Sequence, residues 1–494
     1  MKAFALTTLA LLGVASSAQT HRLKQTLAQI ALPLDTATHT CSQAVTRLNS
    51  EANFDFQSVI TAGQPWTDPS FGGSSSIYWQ DFNGLTVSSK ISQIDWARAR
   101  TRNPSASLFG PNNNPIIKDI HQGALGDCYY LSSISAVAEW PDRIKAAFLT
   151  QTYNNAGIFA LKVYVRGKPT TVVIDDFLPF LGTTGNSLIF DRVFAGEGIW
   201  AALLEKAWAK TSGNYDVTTS GNMVEAVGFL TGAPSTTWKT ADAATINNNG
   251  LTAWNIINAA DASQLIMNAG VGSTGCDALG KNAYGLACRH AYSLIGSYAI
   301  KDAAGTVTNR LMLLRNPWGV DAGYNGAWND GDTTRWTAEA KAQVPYVNDL
   351  NDGSFFMEAA DFVKSFSTFV ISYYRPGWAN TIVDVTNDVA APQRTWSFTL
   401  DRAQEVFVGM EFYNARMYAK GCKATTTGIM YLQSATSYLG GFYTYDWNGF
   451  NKFHFESLAA GTYTFKFQPT WNAQDVKDYT VRLYTATPYA LRAL

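Results

Sequence analysis

The chain has few charged residues, and this scarcity limits the kinds of partner that it can bind. Of its 494 residues 15% are charged, and the formal net charge is −1. No basic run accompanies this near-neutral balance, so we predict no nucleic-acid partner. The apolar fraction of 46% is too high for a disordered chain and predicts a globular protein with a packed core.

Long apolar runs are also lacking, with one short exception at the start of the chain. Lys2 precedes an apolar run at 3–14, and small residues follow at 16–18. This is the layout of a secretory signal peptide, and the run is too short to span a membrane. We therefore predict a signal peptide over 1–18 and a soluble mature protein that is secreted or enters a secretory or vacuolar compartment. The alternative is a buried N-terminal helix in a cytoplasmic protein.

Cysteines are few as well. The chain has five of them: Cys41, Cys128, Cys276, Cys288 and Cys422. An exported protein with an odd number of cysteines keeps at least one free thiol. Cys276 and Cys288 bracket a short glycine-rich loop and could pair, which leaves Cys41 and Cys422 as a second pair. Connectivity does not follow from sequence, so both pairings are hypotheses, and Cys128 is the residue left over.

The first half of the chain mixes helical and strand patterns. After Cys128 apolar residues recur on one face of a helix, which Pro141 is expected to stop. Alternating apolar residues at 159–165 and a second run at 171–174 predict a hairpin, and residues 199–210 predict another helix.

The second half is richer in strand patterns. Two long runs at 290–300 and 306–316 are joined by turn-forming residues. An Asn- and Ala-rich stretch at 377–392 is interpreted as a linker. Residues 393–494 contain short aromatic-rich runs between turn residues and no helical periodicity, which predicts a β-sandwich.

Cys128 is a candidate nucleophile. It lies at the predicted start of a helix, after Gly123 and Gly126, which permit a close approach to the chain. A helix N-terminus carries partial positive charge and favours a thiolate, the reactive form of cysteine. A structural cysteine at the start of an apolar helix is the alternative.

A histidine base for this thiol has few candidates. The chain has five histidines: His21, His39, His121, His290 and His454. The first two lie in the leader region and the last lies in the C-terminal β segment. His121 would be presented by the same segment as the thiol. His290, at the start of an apolar run, is therefore the candidate base, with an ordinary structural histidine as the alternative.

Asn316 is a candidate third member. If the runs at 290–300 and 306–316 form an antiparallel hairpin closed near residue 303, His290 and Asn316 face each other across neighbouring strands, with Cβ atoms ~5 Å apart. A side-chain amide there can hold the imidazole ring. Asn316 before Pro317 is also typical of a turn, which is the alternative.

Two further side chains complete the candidate cleft. The Gln122 amide could donate to the oxyanion of a tetrahedral intermediate together with the Cys128 backbone N–H. A surface glutamine is the alternative. Trp318 would shield the hydrogen bond between His290 and Asn316 from water, or else be ordinary core packing.

These residues stand in motifs that resemble those of the calpain family. The matching motifs are Gln122–Cys128, His290–Ser293, Leu314–Gly319, Trp66–Pro69, Val173–Asp176, Ala202–Ala207 and Trp328–Asp330. The resemblance covers about 60–376 and implies that Cys128, His290 and Asn316 form a catalytic triad with Gln122 beside it. It also implies a papain-like core of two lobes that cleaves internal peptide bonds at a limited number of sites.

With this resemblance the expected fold class is α+β, a two-lobed papain-like core followed by an all-β sandwich. The segments after the signal peptide are 19–60, a possible pro-region; 61–270, the first lobe with the nucleophile; 271–376, the second, β-rich lobe with His290 and Asn316; the linker; and the sandwich. Residues 458–463 and 478–483 resemble the C2-like sandwich of the family. Such a sandwich could contact membranes or lipids, and we expect a monomer.

The resemblance implies calcium binding in each lobe, but the pattern is incomplete. The candidate ligands are Asp119 and Glu197 in the first lobe and Asp330, Asp352 and Asp321 in the second. Ser354 and Gly323 stand where glutamates are expected, and no EF-hand loop is present. Because calcium affinity rises with the number of carboxylates, we expect weak or one-site Ca²⁺ binding. Tyr129 replaces a tryptophan of the family, which would alter the wall of the substrate cleft.

The sequence therefore predicts a thiol endopeptidase that acts on protein substrates, with calcium modulation as an open part of the prediction. The alternative is a catalytically silent protein of the same fold that binds membranes or partners through its β-sandwich. Acyl transfer to an amine is a third hypothesis, which the asparagine at 316 disfavours because that chemistry prefers an aspartate.

Overall fold

A computed structural model describes residues 38–79, 94–242, 248–320, 323–346, 352–388, 393–422 and 426–494. The predicted signal peptide lies outside these residues, as does the first part of the segment 19–60. The remainder of that segment contains two helices, Gln43–Ser50 (α1) and Phe56–Ala62 (α2). Val45 of α1 is fully buried in the largest apolar core, so this helix packs onto the rest of the molecule.

The first lobe is built around two buried helices. Its elements are β1 (Ile94–Arg98), α3 (Ala99–Arg102), α4 (Cys128–Val137), α5 (Pro141–Ala147), β2 (Ile158–Val165), β3 (Lys168–Asp175), β4 (Phe177–Leu181), α6 (Trp200–Ser212) and α7 (Met223–Thr231). The predicted hairpin is β2 and β3, which pair along their full length. Apolar residues on every side of α4 and α6 are buried, so both helices lie inside the lobe.

The nucleophile helix ends before Pro141, as expected, and the proline begins the next helix. Helix α4 ends at Val137, and Pro141 is the first residue of α5. Proline suits that position because its missing N–H would be unsatisfied there in any case.

The second lobe contains a six-stranded antiparallel sheet in the order β5-β10-β6-β7-β8-β9. Its elements are β5 (Ser235–Lys239), α8 (Leu251–Ala262), β6 (Ile266–Val271), β7 (His290–Lys301), β8 (Val307–Arg315), α9 (Ala338–Lys341), β9 (Ser354–Glu358), α10 (Ala359–Ser365) and β10 (Thr368–Ser372). Strand β5, helix α8 and most of β6 precede the expected start of this lobe at 271. They belong to it because they pair or pack with its sheet.

The hairpin of β7 and β8 forms, but its register differs from the expected one. Ser293 pairs with Arg315 and Leu294 with Leu314, and a bulge follows before Gly296. Strand β8 ends at Arg315, so His290 and Asn316 are not paired strand residues. Their expected contact therefore depends on side chains and not on the ladder.

The C-terminal region is a sandwich of two antiparallel sheets in the orders β11-β18-β13-β16 and β15-β14-β17-β12-β19. The strands are β11 (Ala379–Val385), β12 (Arg394–Leu400), β13 (Gln404–Phe412), β14 (Thr427–Ser434), β15 (Tyr438–Tyr445), β16 (Asn451–Leu458), β17 (Gly461–Thr470), β18 (Tyr479–Thr485) and β19 (Arg492–Ala493). The interpretation of 377–392 as a linker is wrong for β11, because all of β11 pairs with β18.

Two disulfides join cysteines as hypothesised. Cys41 pairs with Cys422 and Cys276 pairs with Cys288, with Cα atoms 5.6 and 6.2 Å apart. Cys128 is free and half-buried. The described part of the chain contains no helix with the length and apolar character needed to cross a membrane.

Candidate active site

Cys128 is the first residue of α4, at the end of a tightly packed loop. A Cβ atom at Gly123 would overlap the carbonyl oxygens of Ile189 and Phe190, so this loop position requires glycine. At Gly126 a Cβ would lie 3.2 Å from the methyl group of Thr219, again a close approach. The sequence folds this way locally because glycine alone lets the loop pass so near its neighbours, which sets the thiol at the helix N-terminus.

His290 and Asn316 meet through their side chains. The His290 Nε2 and Asn316 Oδ1 atoms are 2.8 Å apart, and both residues are buried. The Asn316 Nδ2 donates to the Val320 carbonyl at 3.1 Å, which fixes the amide so that its oxygen faces the ring. Nε2 of His290 therefore carries the proton, and Nδ1 is left as the acceptor.

The surroundings hold this pair rigidly. The backbone N–H of Asn316 donates to the Gly353 carbonyl at 2.8 Å, and the Trp318 N–H donates to the Asn316 Oδ1 at 3.1 Å. The Trp318 ring lies 4.4 Å from the His290 ring and is itself 36% exposed. The ring covers one face of the imidazole, and part of it remains exposed to solvent, as is typical of a residue at the rim of a cleft.

Both the thiol and the imidazole are neutral at pH 7. Burial raises the pKa of the Cys128 thiol to about 11, although a hydrogen bond from the Ala291 backbone N–H lowers this pKa in part. Burial lowers the pKa of His290 to about 4, against the opposing effect of its bond to Asn316. No hydrogen bond between these two side chains is found in the described residues. Catalytic hydrogen bonds commonly tighten only when substrate is bound, so this geometry suits a base that acts during attack.

Gln122 is buried against the second lobe. Its backbone N–H donates to the Pro317 carbonyl at 2.8 Å, and its Nε2 donates to the Leu125 carbonyl at 2.7 Å. An amide nitrogen has two protons, so one N–H remains for another acceptor. Gln122 therefore connects the loop that carries Cys128 with the segment after Asn316.

The first-lobe calcium candidates are already occupied by protein donors. Asp119 Oδ2 accepts from the Trp200 ring N–H at 2.7 Å, and burial raises the pKa of this carboxyl. Glu197 bonds to the His121 ring at 2.7 Å and accepts from the Phe194 N–H at 2.6 Å.

Of the second-lobe candidates, Asp352 already has protein partners. Asp352 accepts from the Ser354 N–H at 2.8 Å and pairs with Lys118 at 3.0 Å. Asp330 lies in the loop before α9, and Asp321 lies outside the described residues. Among the residues that the structure describes, no three His, Cys, Asp or Glu side chains form a group that could hold a metal. We therefore assign no calcium site to these residues and no step of the chemistry to the ion.

Three buried carboxyl groups behind the nucleophile were not singled out from the sequence. Asp127 precedes Cys128 and is fully buried, and burial raises its pKa to about 7 beside Glu205. Burial also raises the pKa of Glu205 and of Asp191 well above the usual range. The raised pKa reduces the negative charge that Asp127 places beside the thiol, compared with an ordinary aspartate. The acidic residue of the nucleophile motif and the glutamate inside a mostly apolar helix were the available signals.

Tyr129 does not form a wall of the substrate cleft, contrary to expectation. It is 2% exposed, its hydroxyl donates to the Thr218 carbonyl at 2.9 Å, and the Trp208 ring N–H donates to that hydroxyl at 3.0 Å. Because successive helical residues point about 100° apart, the residue after Cys128 faces the interior of the lobe.

The comparison with known families fits this geometry. Residues 66–373 match the family described as calpain family cysteine protease. This match covers more than half of the sequence, so the chain belongs to the calpain family of cysteine proteases. The family is calcium-regulated in general.

Individual relatives are 26–34% identical to the chain within the aligned regions. The chain is 34% identical to Calpain clp-4 of Caenorhabditis elegans over 266 residues, which are 50% of this chain and 34% of that protein. It is 28% identical to the Calpain-2 catalytic subunit of Mus musculus over 341 residues, 68% of this chain and 46% of the relative. With Calpain-13 of Rattus norvegicus it shares 26% identity over 334 residues, 65% of this chain and 46% of the relative. The chain thus spans between a third and a half of the length of these relatives.

Proposed function

We propose that this protein is a calpain-like endopeptidase that hydrolyses internal peptide bonds of proteins with Cys128, His290 and Asn316. The observation that carries the proposal is the buried bond between His290 and Asn316, which leaves Nδ1 free in a site whose only free thiol begins a helix. A nucleophile, a base and a residue that orients the base are the parts that acyl transfer by a thiol requires.

The residues act in a definite order. Nδ1 of His290 takes the thiol proton as Cys128 Sγ attacks the scissile carbonyl, and a tetrahedral oxyanion forms. The free N–H of the Gln122 amide and the Cys128 backbone N–H stabilise its charge. The imidazolium then protonates the leaving amine, which departs as the acyl-enzyme forms. Water, deprotonated by His290, releases the acid and restores the thiol.

Casein cleavage by the full chain tests this proposal, with Cys128→Ala as the decisive variant. We expect cleavage by the wild type and at least a hundredfold loss in the variant, because the attacking atom is removed. Ser135→Ala, which changes a buried hydroxyl in the same helix, is the control and should remain active. Equal cleavage by wild type and Cys128→Ala would contradict the assignment.

Calcium modulation is the finer part of the proposal, and we expect it to be weak. Calcium would have to displace the bonds that Asp119 and Glu197 make with Trp200 and His121. Calcium prefers 6–8 oxygen ligands, and few carboxylates are gathered here. The same casein assay with added calcium or EGTA should therefore change by less than about tenfold, and complete dependence on calcium would contradict this expectation.

Binding through the sandwich is a second candidate function, which exposed aromatic residues favour. Tyr438 and Tyr443 on the edge strand β15 are 65% and 64% exposed, and Trp447 beyond it is 43% exposed. Such residues suit a membrane interface because each has an apolar ring with a polar atom. Sedimentation of full-length Cys128→Ala with vesicles of anionic lipid, compared with its Tyr443→Ser derivative, tests this function without proteolysis. Equal sedimentation of the two would count against it.

We propose further that the protein is exported. The two disulfides support this, because such bonds persist in oxidising compartments and are rare in the cytosol. Residues 1–18 fused to a reporter should direct it into the medium or a vacuolar compartment. A reporter that stays in the cytosol would contradict the proposal.

A further inference from the structure

Arg416 reaches from the β-sandwich into the back of the protease core. It lies in a short 3₁₀ turn, Ala415–Met417, that follows β13. Its Nε donates to Glu225 Oε2 at 2.8 Å and its Nη2 to Glu225 Oε1 at 2.5 Å. The two side chains are 11% and 4% exposed, so this is a buried, two-pronged ion pair between the sandwich and helix α7.

The same guanidinium binds a loop of the core. Nη1 donates to the Val217 carbonyl at 2.6 Å, and Nη2 also donates to the Ser220 carbonyl at 3.0 Å. Ser220 has φ = +64°, a conformation that costs free energy for a residue with a side chain. The bonds from Arg416 hold the loop 217–221 in that conformation.

This loop contacts the residues on both sides of Cys128. The Ser220 N–H donates to the Gly126 carbonyl at 2.9 Å, two residues before the thiol. The Thr218 carbonyl accepts from the Tyr129 hydroxyl at 2.9 Å, one residue after it. The guanidinium carbon of Arg416 also lies 5.2 Å from the centre of the Tyr129 ring, within the range of a cation–π contact.

The packing at this point is close. A Cβ atom at Gly221 would lie 2.5 Å from both Glu225 Oε1 and the Tyr129 ring, and it would overlap the Arg416 guanidinium. The carbonyls, the carboxylate and the ring thus lie close around the guanidinium, with Gly221 packed against it. Moving Arg416 would move the loop that bonds to Gly126 and Tyr129, on either side of Cys128.

We propose that Arg416 is a positioning residue for Cys128, supplied by the β-sandwich. This inference rests on the proposed proteolytic function of Cys128. Arg416 does not touch substrate; it fixes the loop 217–221, and this loop sets where the start of α4 places the thiol relative to His290. The sandwich therefore belongs to the catalytic apparatus and is more than an attached binding module. A guanidinium is needed, because a lysine offers no planar fork for Glu225 and the carbonyls together.

Arg482 provides a matched control at the same boundary between sandwich and core. It donates to Glu411 Oε2 at 2.5 Å and to the Gly232 carbonyl at 2.5 Å, and its side chain is 2% exposed. Gly232 follows the far end of α7, away from the loop 217–221. Arg482 is therefore buried and ion-paired like Arg416, but its carboxylate partner lies in strand β13 of the sandwich and its core contact lies at the far end of α7.

The test compares Arg416→Ala, Arg416→Lys and Arg482→Ala in the full chain with the disulfides intact. Three quantities are measured: the rate at which iodoacetamide alkylates Cys128 as a function of pH, kcat and KM for a casein-derived peptide, and the folded fraction by near-UV circular dichroism. We expect both Arg416 variants to lower kcat at least tenfold with KM changed less than threefold, and to shift the pH profile of alkylation. Folded Arg482→Ala should keep the wild-type alkylation profile and a kcat within threefold.

Other outcomes are equally decisive. If folded Arg416→Ala keeps the wild-type alkylation profile and kcat, or if Arg482→Ala matches its losses, Arg416 is only structural and the inference is overturned. If Arg416→Ala does not fold, Glu225→Gln, which keeps the shape of the partner but weakens the ion pair, decides by the same measurements. If the wild type cleaves nothing while alkylation of Cys128 still responds to Arg416, the proteolytic function fails and the positioning role stands.

Discussion

At the scale of single residues, the site depends on Asn316, whose side-chain amide and backbone N–H are all hydrogen-bonded. Asn316 binds the His290 ring through Oδ1 and is held by the Val320 and Gly353 carbonyls. Without this amide the imidazole ring would lose the acceptor that keeps its proton on Nε2. The ring would also no longer be held in the orientation that turns Nδ1 towards the thiol.

Asn316→Ala should therefore lower kcat about tenfold to a hundredfold with a smaller change in KM, since only the orientation of the base is lost. Steady-state peptide hydrolysis measures both quantities. Asn309→Ala is the control, because Asn309 lies on strand β8, which leads to Asn316, but bonds to Glu358 at 2.7 Å. An active Asn316→Ala variant would show that His290 is oriented by other contacts.

The buried imidazole also predicts a pH dependence of stability. Burial lowers the pKa of His290 to about 4 in the folded protein, whereas an unfolded chain has a value near ~6.5. As pH falls below that value the unfolded chain binds a proton that the folded protein does not, so stability is lost between about pH 6.5 and pH 4. The loss due to this residue is about 3 kcal/mol.

Urea unfolding at pH 7 and pH 4 measures this loss by comparing wild type with His290→Gln, which cannot titrate. The wild type should lose about 3 kcal/mol more than the variant over this interval. Equal losses would mean that the folded protein accepts a proton on His290 as readily as the unfolded chain does.

At the scale of elements, the helices and the β2–β3 hairpin could be predicted from local sequence patterns better than the register of paired strands could. The helix that starts at Cys128 and the hairpin of β2 and β3 follow from apolar periodicity, which depends on nearby residues only. The register of β7 and β8 did not follow, because the bulge before Gly296 depends on packing that no local pattern encodes. His290 and Asn316 are in contact even though the predicted strand register was wrong. Their side chains are long enough to meet without pairing of the two residues in the sheet.

Element boundaries were missed where a tertiary partner decides the structure. Residues 377–392 looked like a linker by composition, yet β11 finds its partner β18 about a hundred residues later. Likewise β5 precedes the expected second lobe but joins its sheet through β10. Strand pairing over long separations is what sequence patterns describe least well.

The disulfide between Cys41 and Cys422 ties the segment just before helix α1 to the segment that follows Arg416. The Ala419 N–H donates to the Cys41 carbonyl at 2.9 Å, so this segment is held by the backbone as well. The bond closes a loop of 381 residues in sequence, against 12 for Cys276 and Cys288. Longer loops gain more from closure in the chain-entropy model.

Replacing Cys41 and Cys422 together by serine should therefore lower the free energy of unfolding by about 2–4 kcal/mol, and by more than the corresponding double replacement of Cys276 and Cys288. Chemical denaturation under non-reducing conditions measures both. The opposite order would show that strain or residual structure in the unfolded chain outweighs loop closure here.

At the scale of the whole molecule, the sandwich and the core share an extensive polar boundary that the sequence did not reveal. The turn between β2 and β3 lies against the sandwich: Arg166 pairs with Asp384 at 2.9 Å, and its carbonyl accepts from Thr480 at 2.6 Å. The Gly167 carbonyl accepts from Asn380 at 2.9 Å. No periodicity links a hairpin turn in one domain to strands two hundred residues away.

Gly167 allows this docking because it has no side chain. A Cβ atom there would overlap the Arg482 guanidinium, and the residue has φ = +65°. Gly305, in the turn between β7 and β8, has φ = +83° with open space around its Cα. Alanine at either position meets similar backbone strain of about 1 kcal/mol. Only the change at Gly167 also sets a Cβ atom against the buried Arg482 side chain of the sandwich.

Gly167→Ala should therefore destabilise the protein by clearly more than Gly305→Ala, by about 1–3 kcal/mol in excess, because the docked sandwich must shift. It should also lower kcat, since a displaced sandwich carries Arg416 with it. Denaturant unfolding and peptide hydrolysis on both variants measure these effects. Gly167→Ala could instead match Gly305→Ala in stability and activity. The boundary between the domains would then accommodate a methyl group, and the activity of the core would not depend on how closely the sandwich docks.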